Sequence, residues 1–218
     1  MSLKNISLNR PVTSYAKVRS FLSAVTRGKK IFIKQGSVKN KTFLNVGCGP
    51  YPEPGFINLD YGWHPQIDIC WDITGRPYPL QDNSLEGIFT EHCLEHISFH
   101  SCLENLKEFY RLLKPGGTLR IIVPDGEIYC DLYIRRKANA AIVLPYGEKE
   151  ETGMISINRI FRSHGHLFIY DYETFELLLK KAGFIKIKKA GFGIGNDNRL
   201  LIDREERKVE SLYVEAVK

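Results

Sequence analysis

The 218 residues predict an α/β domain built on a largely parallel sheet, with a basic segment in front of it. Three observations carry this. Beyond residue 41, short β-rich runs alternate with helix-patterned segments, the rhythm of repeated strand–helix–strand units. The first run, Phe43-Leu44-Asn45-Val46, enters a Gly47-Cys48-Gly49 turn, as a strand does where it opens onto a ligand at the carboxyl edge of such a sheet. The composition, 43% apolar and 26% charged, is that of one globular domain long enough to bury a core.

The elements follow in chain order. Residues 1–41 hold ten Lys/Arg and no acid, so the formal charge of +6 belongs to this arm and not to the domain of residues 42–218. Such an arm either rests on an anionic surface (lipid headgroups, nucleic acid or a phosphorylated substrate) or caps the core through a helical stripe of Tyr15, Val18, Leu22 and Val25. Strands are predicted at 42–47, 57–60, 67–73, 87–91, 119–125, 185–190 and 211–218. A helix starts near Ser98, turns Leu103, Leu106, Phe109 and Leu113 inward, and stops at Lys114-Pro115-Gly116-Gly117. Another starts at Asp171 as N-cap, uses Phe175, Leu178 and Leu179, and stops at Gly183. Residues 134–166 show no clear period, and a substrate lid is expected there.

Several classes are excluded. No apolar run approaches the roughly 20 residues of a membrane-spanning helix. The start lacks the apolar region of a secretory signal. The five cysteines are odd in number and contain no C-x-x-C pair, so neither a disulfide framework nor a structural zinc site is expected, and a reducing, cytoplasmic setting fits.

The chemistry sits at strand ends. Glycines at 47 and 49 let backbone N–H groups come close to a ligand, and Pro52 stands where a dinucleotide fingerprint would want a third glycine. Asp60, closing the second strand, is placed to accept both hydroxyls of a ribose. Asp72 at the third strand's end is placed to accept from an adenine amino group, with Ile73 packing on the ring. Either Asp could instead serve as a cap or turn residue.

The runs Leu44-Asn-Val-Gly-Cys-Gly49, Asp60, Trp71-Asp72, the stretch from Leu80 to Ile97 and Arg111-Leu-Leu-Lys-Pro-Gly-Gly-Thr-Leu119 resemble those of class I S-adenosylmethionine (SAM)-dependent methyltransferases. Within that class the chain is similar to small methyltransferases encoded among bacterial cell-surface glycan genes. The resemblance implies a Rossmann-like seven-stranded sheet of order 3-2-1-4-5-7-6, last strand antiparallel, with helices on both faces. It implies SAM as cofactor, with Asn45, Gly47, Cys48 and Gly49 around the methionine part, Asp60 and Tyr61 at the ribose, Asp72 and Ile73 at the adenine, and Glu91 and His92 facing the sulfonium end. Two departures stand out. Asn45 replaces the usual acid before the first glycine, and the short, proline-rich path from Gly49 to Asp60 leaves little room for a first helix.

A hydroxyl acceptor would profit from a general base. His92, His166 and Asp125 are the candidates, although Asp125 could equally cap the following helix. If Glu91–His96 turns helical, His92 and His96 share a face at a spacing zinc sites use, but the order of the inner Glu differs and no metal is expected. The leading reading is a methyltransferase acting on an O or N atom of a small-molecule or glycan-like acceptor. The alternatives are a catalytically silent nucleoside-binding module and an RNA-directed enzyme using the basic arm. Nucleic acid is the less favoured partner, because the arm has few aromatics for stacking.

Overall fold

The computed structural model describes residues 32–33, 35–63, 65–138, 140 and 152–218. The stripe Tyr15, Val18, Leu22 and Val25 lies outside the described residues, as does the middle of the expected lid.

Among the described residues, eight strands form one sheet: β1 (Phe32–Ile33), β2 (Phe43–Val46), β3 (Ile57–Asp60), β4 (Ile69–Cys70), β5 (Leu85–Glu91), β6 (Leu113–Pro124), β7 (Ile185–Lys189) and β8 (Ser211–Val217). Their spatial order is β1-β4-β3-β2-β5-β6-β8-β7. Leaving aside the two-residue edge strand β1, the seven others run 3-2-1-4-5-7-6 in chain order, as expected. Strands β2 to β6 pair in parallel, and β8 runs antiparallel to both β6 and β7. A parallel sheet of this kind aligns the carboxyl ends of β2, β3, β4, β5 and β6 along one edge, and the reversal of strand order beside β2 opens a crevice there.

Among the described residues a four-residue helical turn (Gln35–Val38) precedes β2, and four longer α-helices follow: α1 (Phe99–Leu112), α2 (Gly126–Lys137), α3 (Gly153–Arg162) and α4 (Tyr172–Ala182). The N-caps are read directly from the sequence. Ser98 Oγ accepts from Ser101 N and Asp171 from Thr174 N, while Gly183 closes α4 at φ 101°. The main core packs α1 and α4 on the sheet face presenting Leu44, Val46, Leu59, Ile88 and Ile121. On the opposite face, Phe43, Phe56, Phe89, Ile122, Leu200 and Tyr213 form a second cluster. Among the described residues it is covered by the loops around Phe56 and Ala190–Ile202.

Some boundaries depart from expectation. Leu113 is not the last inward residue of α1. It opens β6 opposite Leu85, and the buried face of the helix is Cys102, Asn105, Leu106, Phe109 and Leu112. Pro115 forbids helical continuation, so the chain leaves the helix early. The third predicted strand is cut to Ile69–Cys70, because Asp72 bonds Thr74 and turns the chain out of the sheet. The segment 134–166 is not irregular throughout. It holds the end of α2 and all of α3, which starts at the N-cap Thr152 and shares the buried cluster Tyr129, Ile160 and Ile169 with α2.

Candidate active site

The glycine turn is fixed by the chain's own packing. Gly47 and Cys48 both donate to Leu59 O, at 2.8 and 3.2 Å, which ties the end of β2 to β3. Gly47 has φ +67°, and a Cβ there would stand 2.2 Å from Cys93 Sγ. Its side of the turn is therefore filled by protein. Among the described residues, nothing lies within 4 Å of where a Cβ on Gly49 (φ +54°) would stand, so that side is an open cradle. The Cys48 thiol is buried and pushed up by desolvation and by the nearby Asp60, so only its backbone is offered. Buried Asn45 braces the turn from behind, donating to Asn58 Oδ1 and Tyr51 O, each at 3.3 Å.

Asp60 comes to this turn directly. One carboxylate oxygen accepts from Gly49 N at 2.9 Å and the other from Gly62 N at 2.8 Å. The next strand over places Cys70 opposite Asp60, with Trp71 N donating to Asp60 O at 2.9 Å. Asp72 and Ile73 follow in the adjoining turn. Asp72 is exposed and Oδ1 accepts from Thr74 N and Oγ1, whereas Ile73 leans on the main core. Tyr61 is exposed. Glycine turn and Asp60 thus form one unit, and Asp72 stands as a turn residue one strand further out.

The tip of β5 divides two cavities. Glu91 faces the first, of about 410 Å³, whose wall also includes Asn45, Gly47 and Cys48. Gly49, Asp60, Tyr61, Asp72, Ile73 and His92 lie outside that wall. The rest of the wall is Pro50, Tyr51, Pro52, Glu53, Gln66 and Phe89 and, from far along the chain, Ile202 and Arg204, which no motif announced. Arg204 forms an ion pair with the buried Glu91, donates its backbone N–H to Glu91 Oε1 at 3.1 Å, and stacks 4.1 Å from the Tyr51 ring centre. Nothing local in Asp203-Arg204-Glu205 signals this role, since the contact exists only after the chain returns to the sheet.

His92 turns the other way, at φ 48°, and lines the second cavity of about 280 Å³ with Glu95, His96, His164 and His166. The stretch does not become an α-helix; only Leu94–His96 makes a 3-10 turn. His92 and His96 are consequently not a stacked pair. Instead Glu95 lies between them, 3.4 Å from His92 Nδ1 and 3.7 Å from His96 Nε2. Burial pushes the Glu95 carboxyl up, but the neighbouring imidazoles outweigh it and hold it below the usual carboxylate range. His166 arrives from the far end of the chain because Leu167 N and Phe168 N both donate to Glu95 O, at 2.7 and 3.3 Å. Its Nδ1 lies 2.6 Å from Ile160 O, and burial keeps its pKa below the ordinary histidine value. Asp125 lines neither cavity. It is buried, caps α2 by accepting from Glu127 N at 3.0 Å, and is pushed up by desolvation. Of its two readings, the helix cap is the one the structure shows.

Residues 64–121 match a family described as a methyltransferase domain. No curated protein matches the chain. Among solved structures, a SAM-dependent methyltransferase from Archaeoglobus fulgidus superposes with a TM-score of 0.53 at 17% identity, covering 92% of this chain and 94% of that one. A phosphoethanolamine N-methyltransferase from Haemonchus contortus, solved with S-adenosyl-L-methionine, gives a TM-score of 0.50 at 17% identity, covering 97% of this chain and 59% of that one. At this identity the likeness is one of fold. No helix among the described residues is long and apolar enough to cross a membrane.

Proposed function

We propose, from the domain match and the fold, that the chain is a SAM-dependent methyltransferase that methylates an O or N atom of a small-molecule or glycan-like acceptor held in the second cavity. The observation that supports this most is the division at the tip of β5. Glu91 faces the hollow beside the glycine turn and its neighbour His92 faces an imidazole-lined one, so two ligands could meet at a single strand end.

The residues fit the donor. Asn45, Gly47, Cys48 and Glu91 line the 410 Å³ hollow, which lies within the range of small-ligand sites, and the donor would extend from it past the open side of Gly49 to Asp60 and Asp72, beyond the hollow's wall. In this reading the backbone of Gly47, Cys48 and Gly49, braced by Asn45, receives the methionine part. Asp60 and Tyr61 take the ribose, Asp72 and Ile73 the adenine, and Glu91 and His92 border the sulfonium. Bound SAM supplies a methyl group already activated on sulfur. The chain's own contribution is placement, since holding two reactants in line can remove several kcal/mol of barrier. The acceptor's polar atom would dock among His92, His96 and His166. The basic arm of residues 1–41 would serve an anionic or membrane-adjacent acceptor.

Calorimetry tests the donor assignment. Asp60→Ala should lower SAM affinity at least about tenfold while the melting curve still shows a folded protein, because a bidentate charge-assisted contact is lost. Unchanged affinity would remove Asp60 from the ribose. With labelled SAM and a panel of hydroxyl- and amine-bearing glycans and small molecules, His166→Ala should reduce turnover more than SAM affinity. SAM binding with no labelled product from any acceptor would instead mark a silent binding module.

A further inference from the structure

We propose that Glu95, His96 and His166 form a binding site for a divalent transition metal of the zinc class, set in the wall of the second cavity. One observation is Glu95 itself. It is fully buried, lines the cavity, and neither carboxylate oxygen has a hydrogen-bond partner among the described residues. The imidazole nitrogens of His92 and His96, at 3.4 and 3.7 Å, offset this burial without hydrogen-bonding the carboxylate, and a cation bound to it would satisfy its oxygens directly.

Geometry supplies the second observation. One potential ligand atom from each of Glu95, His96 and His166 lies within 4.8 Å of the other two. Metal–ligand bonds of about 2.0–2.2 Å would draw such atoms to roughly 3–3.5 Å apart, an adjustment of up to about 1.5 Å. His96 can make it, because its side chain is 39% exposed.

The orientation of the other histidines agrees. With Ile160 O, which only accepts, 2.6 Å away, His166 Nδ1 must carry the proton, and the Nε2 lone pair is left for a ligand. This second contact, an N–H held by a backbone carbonyl, is the usual support of a metal-bound imidazole. His92 is not a ligand. Ser211 Oγ spends its single proton on Arg207 O at 2.7 Å, so His92 Nε2 must donate to Ser211 at 2.9 Å. Two imidazoles with one carboxylate suit zinc-like ions better than magnesium or calcium, and three protein ligands leave a coordination position facing the cavity. The site does not depend on the methyl donor.

The test uses the full chain, stripped with a chelator and titrated calorimetrically with Zn²⁺, with Co²⁺ followed by its visible spectrum and Mg²⁺ as counter-probe. One Zn²⁺ per chain is expected and no Mg²⁺ uptake. His96→Ala, His166→Ala and Glu95→Gln should each weaken Zn²⁺ binding at least about tenfold, while His100→Ala, on the exposed face of α1, should not. If Glu95→Gln fails to fold, the partly exposed His96 carries the test. The proposal is overturned if the wild-type chain takes up no stoichiometric Zn²⁺. It is equally overturned if uptake survives both histidine changes, or falls as much with His100→Ala.

Discussion

Gly47 and Gly49 look alike in the sequence and do different work. Both have positive φ, so alanine costs about 1–2 kcal/mol at either position. At Gly47 the new Cβ also runs into Cys93, adding roughly 1–3 kcal/mol of overpacking. Gly47→Ala should therefore lower the melting temperature clearly more than Gly49→Ala, whereas Gly49→Ala should act chiefly on SAM affinity by filling the cradle. Equal melting temperatures would refute the distinction. Arg204 offers a second test at this scale. Removing it leaves Glu91 buried without its counter-charge, a loss of roughly 3 kcal/mol. The double change Glu91→Gln with Arg204→Met should recover much of the stability lost by Arg204→Met alone, as read in denaturant unfolding.

At the scale of elements, Arg120 in β6 holds the C-terminal part of the sheet together. It is fully buried, paired with Asp203 and with Glu215 of β8 (2.9 Å), and bonded to the carbonyls of Gly191 and Ile194. Arg120→Ala strands two buried carboxylates and should destabilise by about 3–5 kcal/mol, measured by urea unfolding. A loss below 1 kcal/mol would mean that the triad has a relaxed substitute. Elements with local signals were legible in the sequence: α1 and α4 through Ser98, Asp171 and Gly183, and the β2 turn through its glycines. Helix α3 was not, because its cap Thr152 precedes a glycine and follows a charge-mixed stretch that masks the period. Asp72 carried its turn signal in Thr74 and Gly75, but the apolar run before it read as a longer strand. The site was half legible for the same reason. Asp60 meets Gly49 through adjacent strands, whereas His166 reaches Glu95, and Arg204 reaches Glu91, only through tertiary contacts that no spacing encodes.

At the scale of the molecule the sheet is held unevenly. β6 pairs with β8 over seven positions and with β5 over six, while β4 is joined to β3 by two and to β1 by two. The far edge, β7, is almost wholly exposed, and its Lys186, Lys188 and Lys189 discourage pairing with another chain. Amide exchange should accordingly be slowest in β5, β6 and β8 and fastest in β1, β4 and β7, since local opening follows the pairing that must break. Gly49, Asp60 and Asp72, the residues proposed for the donor, belong to the loosely tied half, where a connection of prolines replaces the first helix. SAM should thus slow exchange mainly over residues 47–63 and 69–75, and leave β6 and β8, already near the global limit, almost unchanged. Uniform slowing across the sheet would show that the two halves open as one unit. No slowing at 47–63 would move the donor away from the glycine turn altogether.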